Sequence, residues 1–168
     1  MKLKYFLPVV GMAILVACNN SSDKEKKEAD TTANKMDDHH MPEPGATMPE
    51  LPAVPEGAKV MFKNLKQGDN VSSPFKVEMG VEIIKIDTAG PIVAGTGHHH
   101  IFIDGPDSLA AGQTIPKDST HLHFGKGQTE TELTLPPGKH RLTLQFADGA
   151  HRSYGGKLAT AITITVKK

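Results

Sequence analysis

The chain contains no tryptophan, two tyrosines and six phenylalanines. So few aromatic rings exclude a binding surface of stacked side chains, the platform on which proteins read single-stranded nucleic acid. There is one cysteine, Cys18. That excludes an intrachain disulfide, a Cys-x-x-Cys metal site and a blue-copper centre with its thiolate in the fold. Formal charge sums to zero, so no basic field draws nucleic acid, and no nucleic-acid partner is expected. Long hydrophobic runs are missing apart from Tyr5 to Val16, itself broken by Pro8 and Gly11. No paired carboxylates and no nucleophile–base pair stand out, so the expectation is a protein that is not an enzyme.

The apolar run has its own meaning. Lys2 and Lys4 precede it, and it is too short to cross a bilayer as a mature helix; it has the length of a signal-peptide core. It ends in LVAC, Leu15 to Cys18, which resembles a bacterial lipobox, where cleavage precedes an acylated cysteine. Residues 1–17 are therefore expected to be a lipoprotein signal peptide. A lipid on Cys18 would hold the protein to a membrane without spanning it. The implied location is the bacterial cell envelope, on the periplasmic or outer-membrane face. Residues 18–56 are polar, acidic and then proline-rich, which reads as a disordered tether. Within it Met36, His39, His40, Met41 and Met48 could capture copper loosely, or be incidental residues of a solvated linker.

Residues 57–168 change to a period of two. Strands are expected at Lys59–Asn64, Phe75–Ile86 (bulged at Gly80), Gly97–Asp104, His121–Phe124, Gln128–Leu135, His140–Phe146 and Leu158–Val166. Gly125 to Gly127 reads as a tight hairpin, Pro136 to Lys139 as a turn, and Ala147 to Gly156 as a loop. Gly105 to Thr120 is the one long connection, with a helical turn expected around Ser108 to Ala111. About seven short strands and no convincing helix predict an all-β, immunoglobulin-like antiparallel β-sandwich.

Histidine is the residue in excess. GTGHHHIFIDG carries His98, His99 and His100 into an apolar run, and THLHFGKG sets His121 beside His123 with one residue between. Residues i and i+2 share a face of a strand. With Ile101, Leu122 and Phe124 turned inward, His98 with His100 and His121 with His123 form two outward pairs. If those strands are neighbours, four imidazoles converge. Crowded imidazoles repel one another when protonated, whereas neutral ones ligate Cu(II) or Zn(II). His151, in the loop before the last strand, is a possible fifth ligand or a partner of the others. His140 falls in the inward series and reads as a hydrogen-bonded structural residue; His99, on the side of Ile101 and Ile103, is ambiguous, a buried and satisfied histidine being its plainer reading. Asp104, Asp107 and Asp118 flank the long loop, as turn residues or as supports for the ligands.

The words GTGHHH, HLHFG and PPGKH, in that order across residues 59–166, resemble a family of bacterial exported domains of unknown function. The resemblance implies an exported β domain and no activity. The histidines suggest a membrane-anchored envelope lipoprotein that binds copper or zinc, for sequestration or delivery, with an envelope metalloprotein or other envelope protein as partner. The alternative is an immunoglobulin-like interaction module that uses no metal.

Overall fold

The computed structural model describes residues 48–168. The expected signal peptide, Cys18 and the tract Met36, His39, His40 and Met41 lie outside the described residues. Nine strands follow one another: β1 Lys59–Phe62, β2 Asn70–Val71, β3 Phe75–Glu82, β4 Lys85–Ile86, β5 Thr96–Ile103, β6 His121–His123, β7 Glu130–Leu133, β8 Gly138–Ala147 and β9 Ala159–Val166. A 3₁₀-helical turn at Gly155–Leu158 leads into β9.

The strands form two sheets, a three-stranded one ordered β1-β3-β7 and a six-stranded one ordered β2-β9-β8-β5-β4, with β6 also paired to β5. Alternation builds the core between them. Phe75, Val77 and Met79 of β3, with Val60 and Leu133, meet Ile101, Leu142, Leu144, Phe146, Ile162, Ile164 and Val166 from the larger sheet. Burying such side chains contributes about 1.5–3 kcal/mol each. The described residues are all-β and sandwich-like, as their alternation predicts, but two pairings are parallel: β2 with β9 and β4 with β5.

Five expectations fail for local reasons. The strand expected from Phe75 to Ile86 breaks at Ile83, whose φ of 68° interrupts the extended backbone and sends Lys85 to pair with Thr96. Gly80 forms no bulge, because β1 and β3 pair in unbroken register from Lys59↔Glu82 to Phe62↔Met79. The turn at Gly125 to Gly127 closes through Gly127 N–H to Phe124 O, yet it is no hairpin. β6 pairs with β5 and β7 pairs with β3, so the chain changes sheets there. Ser108 to Ala111 forms no helical turn; the Leu109 N–H donates to the Gln145 side chain instead. Residues 48–56, expected in the tether, run along the domain: Leu51 and Val54 pack on the core and Arg152 donates to Pro49 O.

β5 is buried on both faces. Its inner face joins the core. Its other face, expected to be open, is covered by the loops after β5 and β8, where Leu109, Phe102, Ile115 and Ala147 form a second apolar cluster. Backbone bonds stitch the two loops together: Ile115 N to His151 O, Ser153 N to Gln113 O and Gly112 N to Ser153 O. At the start of β5, Gly97 lets the backbones approach closely, since a Cβ there would lie 2.2 Å from Ala147 O.

Candidate metal centre

The pairing of β5 with β6 decides which histidines meet. His100 faces His123, Ile101 faces Leu122, and Phe102 faces His121. Because the strands are antiparallel, stepping back from His123 to His121 moves along β5 away from His98. The two His-x-His pairs therefore do not close into a square. One imidazole nitrogen from each of His98, His100 and His123 lies within 4.8 Å of the other two. His121 stays outside that group. Its ring packs against Phe102, with centroids 4.7 Å apart, and its Nδ1 hydrogen-bonds Asp118 at 2.9 Å. The same hydrogen bond, followed by those from Thr120, holds the Asp118 carboxyl well below the usual carboxylate range.

His151 comes to the cluster from the loop after β8. Its Nε2 is 3.1 Å from Nε2 of His123, and its ring centroid is 5.0 Å from that of His98 and 6.0 Å from that of His100. His98 and His100 approach one another at 3.0 Å between their Nε2 atoms. Nitrogens that share one ion at bond lengths near 2.0–2.1 Å sit about 3–4 Å apart. The closest pairs already have that separation.

His151 owes its position to a tightly tied loop. Its φ is 63°, a left-handed conformation that costs about 1–3 kcal/mol in a residue other than glycine. Asp148, fully buried, accepts from the backbone N–H groups of Ala150 and Arg152 and from Arg152 Nε at 2.8 Å. A second guanidinium nitrogen, Nη2, lies 2.7 Å from the same carboxylate. The ion pair and the turn fix the backbone on both sides of His151.

The electrostatics favour neutral rings. Burial, then the neighbouring His151 and His123, push His98 down to about 4. Burial, then His98, His123 and His151, push His100 down to about 2. Burial and His151 also lower His123, and burial lowers His151 against the opposing pull of Asp148. At neutral pH these imidazoles offer lone pairs without first losing a proton, which is the state a metal ion requires. Within a purely structural cluster, buried polar atoms are expected to find partners. Here Nδ1 of His98 and Nδ1 of His100 are buried and have none. Gln145, directly across from His100, gives its amide to the carbonyls of Gly155 and Leu158 at 3.1 Å.

The remaining histidines do other things. His99 is fully buried and packs edge-on against Phe146, but both its nitrogens lack partners, so it is not the satisfied core histidine expected. His140 is hydrogen-bonded, to Asp104 and to Pro136 O, each at 2.9 Å. Asp107 pairs with Arg141 and takes no part in the cluster. Sequence reasoning missed Asp148, whose position three residues before His151 is its only signal, and Gly125, two residues after His123.

A family model described as "Domain of unknown function (DUF4399)" matches residues 77–167. No curated protein and no solved structure matches the chain.

Proposed function

The chain belongs to the DUF4399 family, whose description assigns no activity, and from the site alone we propose that the protein binds a copper or zinc ion. His98, His100 and His123 are the ligands and His151 is the fourth. One observation carries this reading: three imidazoles, two of them buried and all held neutral, present nitrogens within 4.8 Å of one another. Nitrogen donors without a thiolate suit Cu(II) and Zn(II). His98 and His100 are fixed by β5, an interior strand of the larger sheet paired on both sides, so the fold holds half of the ligand set in place before an ion arrives.

The lipobox-like LVAC supports placement as a lipid-anchored protein of the bacterial envelope, tethered through Cys18. A site of this kind in that compartment serves to sequester the ion or to pass it to an envelope metalloprotein. His121, held by Asp118 beside Phe102, is not among the proposed ligands.

The test is calorimetric titration of the chain with Cu(II) and Zn(II), carried out with His39→Ala and His40→Ala so that the upstream pair does not contribute. The expected result is one ion per chain, strongly weakened by His100→Ala or His123→Ala and unchanged by His121→Ala. Few protons should be released at pH 7, so the binding enthalpy should vary little between buffers. Binding that survives His100→Ala and His123→Ala together would end the proposal.

A further inference from the structure

Of the rings in the cluster, His123 is the only exposed one, at the end of a three-residue strand. Little in β6 itself selects one rotamer for it. Beneath it lies a glycine. A Cβ placed on Gly125 would sit 2.2 Å from Nε2 and 2.3 Å from Cε1 of His123, far inside contact distance. The imidazole therefore lies over the bare backbone of Gly125, with its Nε2 in the space a side chain would fill.

The register explains why this glycine and this ring meet. His100 faces His123, and the strands stay joined one residue further through Phe124 N–H to His99 O at 3.0 Å. Continuing by two residues would set Gly125 opposite His98. Any side chain at 125 would project toward the His98–His100 face and occupy the ground where His123 turns in. Gly125 is not in the left-handed region, so its lack of a side chain is not demanded by the backbone. Its backbone is held independently, since Ala89 N–H donates to Gly125 O at 2.8 Å. The third atom near the missing Cβ is the Ala89 methyl, at 3.1 Å, a far wider approach than that to the His123 ring.

We propose that Gly125 is a positioning residue: its missing side chain is the seat that turns the His123 imidazole toward His98, His100 and His151. The consequence for metal binding rests on the function proposed above; the placement of the ring does not. Alanine at 125 leaves every proposed ligand in the chain and displaces one of them.

The experiment compares the full-length chain carrying Gly125→Ala, His123→Ala, or both, each with His39→Ala and His40→Ala, and Gly156→Ala as the control. A Cβ at 156 meets only ordinary contact, 3.5 Å from Ser108 Oγ. The metal-free readout is the set of NMR cross-peaks between the His123 and His151 ring protons. The metal readout is affinity for Zn(II). Gly125→Ala is expected to keep the fold, lose those cross-peaks and weaken Zn(II) binding at least tenfold, approaching the loss in His123→Ala. In the His123→Ala background the alanine at 125 should add nothing further, because the ring it displaces is gone. Gly156→Ala should match the starting protein. Retained cross-peaks with unchanged affinity in Gly125→Ala would overturn the proposal. If Gly125→Ala alone fails to fold, the double variant decides: recovery of the fold supports the clash with His123, and failure of both overturns it. If the starting protein binds no Zn(II), the function proposed above falls, and the cross-peaks still decide the role of Gly125.

Discussion

His99 sits in the core with both ring nitrogens buried and unpartnered. Burial pushes it down to about 4, close to His98, with His100 lower still. The sign of the pH dependence follows. The unfolded chain takes up protons at these residues as pH falls below about 6.5, and the folded chain does not. Their contribution is complete above 6.5 and is lost progressively as pH falls toward 4, and for His100 further toward 2, at about 1.4 kcal/mol per pH unit for each. His99→Leu should remove one such increment and be neutral or stabilising at pH 7, because no unpaired polar atom is then buried. Urea unfolding at pH 7 and pH 5 measures both quantities; an unchanged difference between the two pH values would contradict the assignment. His140 has the opposite sign. The hydrogen bond that its ring donates to Asp104 raises it, so its contribution is present below about 6.5 and is lost as pH rises through the raised value. NMR titration of Asp104→Asn should show His140 returning toward its ordinary value.

The loop Asp148 to Arg152 shapes the site more than any strand end. Asp148 is fully buried, Arg152 nearly so, and the pair fixes the turn that carries His151. Removing one partner of a buried pair leaves the other uncompensated, at a cost of about 3–5 kcal/mol. Asp148→Ala should lower stability by that amount in urea unfolding and also loosen His151; a loss below 1 kcal/mol would show that the loop does not depend on the pair. None of this could be read from ADGAHRSYGG, where an acidic residue, a histidine and an arginine look like ordinary loop polarity. The strands were more legible, because Leu142, Leu144 and Phe146 alternate with polar residues whatever their partners. The register was not legible. Alternation assigned His121 and His123 to one face correctly, but only the pairing of His100 with His123 separates His121 from the cluster. The covered outer face of β5 was also hidden, since it depends on two distant loops meeting over His98, His100 and Phe102.

At the scale of the whole molecule, the two sheets of the described residues enclose the larger apolar core, and the histidine cluster lies on the other face of the larger sheet, where the stitched loops meet it. An ion held there joins β5, β6 and the loop after β8, segments far apart in sequence. Because the unfolded chain lacks that arrangement, ion binding should raise apparent stability, by about 2.7 kcal/mol at a hundredfold excess over the dissociation constant. Thermal unfolding with and without Zn(II) should show the increase in the parent chain and not in His98→Ala/His123→Ala. The most direct measurement is anomalous diffraction from crystals grown with Zn(II) or Cu(II). The account predicts a single ion within about 2.0–2.1 Å of imidazole nitrogens of His98, His100 and His123. A metal-saturated crystal with no anomalous peak among those three rings would contradict it.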